Sequence, residues 1–143
     1  MMFNPALALA QDTPAPEAPA ADAGAAAPAA GTEASYTKDQ ATRGKAAYKE
    51  SCSGCHGSTL GGSGEAPGLA GKGFREHWFV GSPEPFMTYI SSNMPQDNPG
   101  SLEPATYADI AAYLMSRNHV PEGDAELPSD TEALKNITLP ALN

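Results

Sequence analysis

The sequence predicts an all-α domain with long loops, and three observations support this fold class. Apolar residues recur at helical spacing in several segments that begin near capping residues. Glycine and proline are concentrated between those segments, where they favour irregular connections. No segment alternates polar and apolar residues with the period of two that is typical of a half-buried strand.

The first helix is predicted to begin near residue 37, where Thr37 or Asp39 can accept a capping hydrogen bond. Its apolar face at helical spacing consists of Ala41, Gly44, Ala47 and Tyr48. The segment 57–73 follows, and its seven glycines together with Pro67 favour a loop rather than a helix or strand.

The second half of the chain predicts four more helical segments. Residues 75–95 favour two short helices, because a glycine and two prolines interrupt the pattern. A longer helix is predicted from Pro104, since proline suits the first helical position. A last short helix is predicted from Ser129, whose spacing to Glu132 matches a capping box. The apolar face of the long helix consists of Tyr107, Ile110, Ala111, Tyr113 and Leu114.

The N-terminal quarter of the chain predicts appendages to a single domain. We expect residues 1–10 to be the remnant of a secretory signal peptide, because Ala8-Leu9-Ala10 matches the small-x-small pattern of a signal-peptidase site. An alanine-rich N-terminus without this function is the alternative. Residues 11–35 predict a disordered linker, since 11–34 contain 11 alanines and 4 prolines but no aromatic residue. The folded domain, with a C-terminal tail helix, is predicted at 36–143.

The charge balance excludes some classes of partner. The 143 residues contain 17 acidic and 8 basic side chains, a formal net charge of −9. A nucleic-acid-binding protein would need a basic face, so this class is disfavoured. An acidic surface suits contact with a basic patch on a protein partner. No apolar run in the chain approaches the roughly 20 residues of a membrane helix, although the linker could tether the domain.

The two cysteines of the chain stand together in the sequence SCSGCHG, and three interpretations compete for them. A structural zinc site needs four ligands, and beyond His56 only His77 and His119 are available. A disulfide or a redox-active C-x-x-C pair is the second interpretation. The third is covalent haem attachment, in which Cys52 and Cys55 form thioether bonds and His56 is the proximal iron ligand. The C-x-x-C-H pattern favours the haem.

The chain resembles the single-haem class I cytochrome c domain over about residues 36–120. In that family a glycine and an aromatic residue lie eight and four positions before the first haem cysteine, and a Pro-x-Leu-x-Gly segment follows the haem motif. The matching residues here are Gly44, Tyr48, Pro67, Leu69 and Gly71. The resemblance implies about four or five helices around one covalent haem, and a close contact of Gly44 with Ile110 and Tyr113.

The resemblance also implies the remaining contacts to the haem. The carbonyl of Pro67 would accept the proton of the other His56 ring nitrogen and so orient the ring. Met94, on a Pro- and Gly-rich loop before the long helix, would be the axial methionine. Met87 and Met115 are the alternatives, and core packing is the ordinary role of a methionine. Trp78, the only tryptophan, would donate its ring N–H to a haem propionate.

These ligands predict an electron-transfer protein rather than an enzyme. Both axial positions would be filled by neutral protein groups, which leaves no open iron site and favours a raised reduction potential. The chain is most similar to cytochrome c subunits or domains of bacterial quinoprotein (PQQ) dehydrogenases, on features such as Met94-Pro95 and Tyr107 to Asn118. We therefore expect an exported, periplasmic carrier between a dehydrogenase and an oxidase or other cytochrome of the respiratory chain. A freely diffusing shuttle to a terminal oxidase and, less favoured, a haem enzyme or ligand sensor are the alternatives.

Overall fold

The computed structural model describes residues 32–33 and 36–142, and helices dominate this part of the chain. The order is β1 (Thr32–Glu33), α1 (Lys38–Ser51), α2 (Ser53–His56), α3 (Lys72–Trp78), α4 (Glu84–Asn93), α5 (Pro104–Arg117), α6 (Thr131–Lys135) and β2 (Ile137–Thr138). The predicted all-α fold is confirmed, with six helices in the described residues rather than four or five. The additional helix is α2, a single turn too short to show a hydrophobic period.

Helix α1 is capped by Thr37, one of the two capping residues that the sequence offers. The Thr37 hydroxyl accepts a hydrogen bond from the backbone N–H of Gln40 at 3.1 Å. The buried face of α1 consists of Gln40, Gly44 and Tyr48, with Ala41 and Ala47 half-buried beside them. The predicted face is therefore confirmed, but a buried glutamine at its edge was not predicted.

Helices α1 and α5 cross closely at Gly44. A Cβ atom at this position would lie 1.7 Å from the backbone oxygen of Asp109 and 2.9 Å from the Cβ of Tyr113. Only glycine allows this approach. The predicted contact with Tyr113 is confirmed, while the nearest partner is the backbone of Asp109 rather than Ile110. The rings of Tyr48 and Tyr113 pack beside the crossing in a tilted arrangement, with centroids 5.4 Å apart.

The predicted loop 57–73 is wrong at its last two residues, because α3 already begins at Lys72. Gly71, with φ +103°, turns the chain into the helix, and Gly73 lies within its first turn. Helices α3 and α4 are the two short helices predicted in 75–95, although the first begins earlier. Helix α5 begins at Pro104 as expected and buries every residue of its predicted apolar face.

The segment 119–142, which we call the C-terminal belt, returns across the helices. Gln40 holds it near the start of α1, since its side chain accepts from the Leu127 N–H at 2.7 Å and donates to the Leu127 carbonyl at 2.9 Å. Farther along, Leu134 of α6 is fully buried, and the Leu139 N–H donates to the Gly81 carbonyl at 2.6 Å. The belt is therefore hydrogen-bonded both to α1 and to the connection between α3 and α4.

The cap of α6 differs from the prediction by one residue. Asp130, not Ser129, is the N-cap, and its carboxylate accepts from the Ala133 N–H at 2.9 Å. Both residue types cap helices well, so their order in the sequence does not decide between them.

The predicted signal remnant (residues 1–10) and most of the predicted linker (11–35) lie outside the described residues. Thr32–Glu33 are described, and they pair in parallel with Ile137–Thr138 of the belt. The belt thus supplies backbone partners to these two residues, and the assignment of 11–35 as a linker stays a prediction. Within residues 32–33 and 36–142, no helix combines the length and apolar character needed to cross a membrane.

Candidate functional site

The C-x-x-C-H residues begin at Cys52, which joins α1 to α2, and end with Cys55 and His56 inside α2. Cys52 ends α1, and its N–H donates to the Tyr48 carbonyl at 2.9 Å. The Cys52 carbonyl in turn accepts from the N–H groups of Cys55 and His56, at 3.2 and 3.0 Å. This single helical turn brings the three residues close together, as the spacing of the motif requires. Both cysteines are free thiols.

The ring of His56 is buried and held in one orientation. Its Nδ1 lies 2.8 Å from the carbonyl oxygen of Pro67. Because a carbonyl can only accept, Nδ1 carries the hydrogen, and the lone pair of Nε2 is available for a metal. The structure therefore brings together the two residues that the sequence predicts as ligand and orienting carbonyl.

The Pro67 segment owes its position to close backbone packing. The loop folds back on itself at Gly62, where a Cβ would lie 2.6 Å from the Gly68 nitrogen and 2.7 Å from the Ala66 oxygen. Gly62 also donates its N–H to the His56 carbonyl at 2.9 Å. Glycine at position 62 thus allows the loop segment that carries Pro67 to lie close to His56.

Asn118, at the end of α5, fixes the far side of the same segment. Its amide nitrogen donates to the Leu69 carbonyl at 2.9 Å, and its amide oxygen accepts from the Gly71 N–H at 3.1 Å. The side chain is fully buried, so these hydrogen bonds are shielded from water. The sequence analysis placed Asn118 only at the end of the helix and missed this role. A polar residue directly after an apolar helix was the one available signal.

Burial distinguishes Cys52 from a redox-active thiol. Burial, and to a smaller extent the neighbouring Cys55, raises the pKa of the Cys52 thiol to about 11. Thiols of disulfide exchange enzymes have lowered pKa values, because the thiolate is the reactive form. A Cys52 that stays protonated at neutral pH does not match that pattern, which disfavours the redox C-x-x-C interpretation.

Met94 lies at the end of α4, where its backbone leaves the helix in an extended conformation. The Met94 N–H donates to the Ile90 carbonyl at 3.0 Å, and its carbonyl accepts from the Tyr107 hydroxyl at 2.6 Å. The side chain is half-buried, whereas the alternatives Met87 and Met115 are fully buried in the core. Met94 is thus the one of these three methionines that is not buried in the core.

Trp78 belongs to an aromatic cluster between α3 and α4. Its ring centroid lies 5.6 Å from that of Phe86 and 4.8 Å from that of Tyr89. The indole N–H makes no hydrogen bond to another described residue. A half-buried indole with a free donor can bind a carboxylate, and the contact of Trp78 with a haem propionate stays a prediction.

The donor set at this site fits an iron porphyrin. It consists of two thiols and an imidazole with Nε2 available on one helical turn, together with Met94, a half-buried residue at the end of α4. Thiols can hold the porphyrin edge through covalent bonds, while imidazole and thioether are neutral iron ligands. Zinc would need a fourth close ligand. Among the described residues, no three His, Cys, Asp or Glu side chains are grouped in a way that could hold a metal ion.

Comparison with protein families gives a match over residues 39–114 to the family described as cytochrome c oxidase, cbb3-type, subunit III. The chain belongs to this family. The match covers α1 to most of α5 and includes every residue of the predicted haem site. The chain is therefore a class I c-type cytochrome domain that carries covalent haem c, and its activity is haem-based electron transfer. No curated protein and no solved structure gave a match.

Proposed function

We propose that this cytochrome is an exported mono-haem carrier that takes single electrons from a periplasmic quinoprotein (PQQ) dehydrogenase and passes them to the respiratory chain. The observation that carries the proposal is the hydrogen bond from His56 Nδ1 to the Pro67 carbonyl. Because Nδ1 carries the proton, the lone pair of Nε2 is available to bind iron. With Met94 as the second ligand, the protein would fill both axial positions.

The haem supplies a one-electron redox centre, and the chain determines how that centre behaves. Two neutral ligands would leave the oxidised state with the larger net charge, and burial of the haem against apolar side chains would disfavour that state. The reduction potential is therefore raised, as expected for His/Met ligation. A filled axial position also excludes small ligands, so transfer to a protein partner is favoured over chemistry on a bound substrate.

The ligand assignment is tested by replacing Met94 with alanine in the haem-loaded protein. We expect Met94→Ala to lose the weak red-end absorption band of ferric sulfur–iron bonding, to lower the midpoint potential and to bind carbon monoxide when reduced. Met115→Leu is the matched control, because Met115 is fully buried in α5 and this swap nearly conserves volume. Retention of the red-end band in Met94→Ala would assign the second ligand to another residue.

The acidic charge of the chain supports a partner with a basic docking face. Part of this charge is already used within the domain: Glu126 pairs with Arg43 at 2.8 Å, and Glu132 pairs with Lys135 at 2.6 Å. Stopped-flow reduction by a purified quinoprotein dehydrogenase should be fast at low ionic strength and slow as salt is added. Rates that do not depend on salt would remove electrostatic steering from the proposal.

A second candidate is direct delivery of electrons to a terminal oxidase, and the family description favours it because it names an oxidase subunit. The two candidates differ in the partner that reacts fast. Oxidation of the reduced cytochrome by purified oxidase, compared with reduction of the oxidised cytochrome by purified dehydrogenase, separates them. Export is tested independently, by N-terminal sequencing of the protein from the periplasmic fraction of its native cell. A mature chain that retains Met1 would contradict the signal-peptide interpretation.

A further inference from the structure

Tyr107 lies in the first turn of α5 and is almost completely buried, with 4% of its surface exposed. A buried phenol needs a partner for its hydroxyl group. The hydroxyl of Tyr107 donates to the carbonyl oxygen of Met94 at 2.6 Å, thirteen residues earlier in the chain. It also accepts a longer contact, 3.5 Å, from the backbone N–H of Leu102. One side chain therefore joins the two ends of the loop between α4 and α5.

The backbone of Met94 is held on both sides by these contacts. Its N–H is used by the last turn of α4, through the Ile90 carbonyl at 3.0 Å. Its carbonyl is used by Tyr107 of α5. Met94 is the first residue past the helix and has an extended conformation, so no helical hydrogen bond would otherwise hold its carbonyl. Without the phenol, this residue would be fixed from one side only.

We propose that Tyr107 is a positioning residue for the axial methionine. By fixing the Met94 carbonyl to α5, it limits the movement of the Cα atom, and the side-chain torsions of the methionine are then the main freedom left to the thioether. A ligand atom that is held near its bonding position loses less entropy when it binds. Tyr107 thereby favours the methionine-bound state over a state in which the loop has swung away and the iron is open. This inference depends on the proposal that Met94 is the iron ligand.

The test compares Tyr107→Phe with Tyr36→Phe in the haem-loaded protein. Tyr36 is a close match: it is 3% exposed, and its hydroxyl donates to the Val120 carbonyl at 2.6 Å. Both variants remove one buried hydroxyl-to-carbonyl hydrogen bond and keep the ring. Only the first of these bonds ends on the methionine residue. A general loss of stability therefore affects both variants, and a loss of positioning affects Tyr107→Phe alone.

We expect Tyr107→Phe to shift the equilibrium toward the methionine-free state by about tenfold, the effect of one net hydrogen bond. The measurable results are tighter carbon monoxide binding by the reduced protein and loss of the ferric red-end band at lower denaturant concentration. Tyr36→Phe should leave carbon monoxide binding unchanged. Equal carbon monoxide affinity in Tyr107→Phe and the unaltered protein would overturn the proposal, as would an equal change in both variants.

Met94→Ala, measured in parallel, separates this inference from the ligand assignment. If Met94→Ala abolishes the red-end band while Tyr107→Phe changes nothing, the ligand is correct and the positioning role is wrong. If Met94→Ala retains the band, the ligand assignment itself fails and the positioning role fails with it. If both variants weaken the methionine bond, the double variant should bind carbon monoxide no more tightly than Met94→Ala alone, because the hydroxyl then has no ligand to position.

Discussion

Two regions of the molecule differ in what holds them. At the α1–α5 crossing and in the C-terminal belt, the contacts are direct and dense: Gly44 admits the backbone of Asp109, and Leu134 is fully buried. Around the candidate haem residues, hydrogen bonds to single carbonyl groups fix the chain: His56 binds the carbonyl of Pro67, and Tyr107 binds the carbonyl of Met94. We call these the packed face and the haem face.

This difference separates the residues that stabilise the fold from the residues that bind the cofactor. On the packed face, protein atoms alone bury the apolar side chains. The helix crossing and the belt also provide hydrogen-bond partners for the buried polar groups. The haem face orients donors toward a group that the polypeptide does not provide. In a domain of this size the core is small, so a large apolar cofactor adds a substantial part of what can be buried. Substitutions on the packed face should therefore change stability, and those on the haem face should change ligation.

The largest effect is expected from Gly44→Ala. A methyl group would have to lie 1.7 Å from the Asp109 oxygen, so α1 and α5 must move apart along the whole crossing. We expect the free energy of unfolding to fall by about 4 kcal/mol or more, the range of severe overpacking. Denaturant unfolding of the haem-loaded protein measures it.

Gly73→Ala is the matched control for this substitution. It also adds one methyl group at a helical glycine, but no atom lies within 4 Å of the added Cβ. Its stability should stay the same or rise by up to about 1 kcal/mol, because alanine favours helix more than glycine does. A Gly44→Ala protein as stable as this control would show that the crossing is loose, and the distinction between the two faces would lose its main support.

The sequence predicted the packed face and the haem face unequally well. Helix positions and the C-x-x-C-H turn are local patterns and were predicted from spacing, whereas the role of Gly44 at the crossing was implied by the resemblance to class I cytochrome c. The contacts of Gln40 with Leu127 and of Asn118 with Leu69 join residues far apart in the chain. No local pattern encodes such a pair, since a polar residue at the edge of a helix is ordinarily solvated. For the same reason the hydroxyl of Tyr107 was not predicted, although its ring was.

An intermediate effect is expected from Leu134→Ala in the belt. Leu134 is fully buried where α6 packs against α4, so its removal leaves a cavity. The free energy of unfolding should fall by about 3 kcal/mol, within the usual range for buried leucine. Lys135→Ala, on the exposed side of the same helix, should change stability little. If the belt belongs to the packed face, the red-end band of Leu134→Ala should persist until global unfolding. Loss of the band before unfolding would show that the belt also supports the methionine loop.

The smallest effect is a pH dependence at Tyr36, on the packed face. Burial, and then the charge of Glu122, raises the pKa of the Tyr36 phenol above its ordinary value of about 10. Because the folded pKa exceeds the unfolded one, the stability from the neutral phenol is complete below pH 10 and is lost as the pH rises through the folded value. Tyr36→Phe has no proton to lose, so the stability difference between the two proteins should be largest near neutral pH and shrink above pH 10. Unfolding midpoints at a series of alkaline pH values measure this difference. If the stability difference stayed constant up to pH 11, the Tyr36 phenol would have the same pKa in the folded and the unfolded chain. The hydrogen bond to Val120, at the start of the belt, would then not shield this hydroxyl from water.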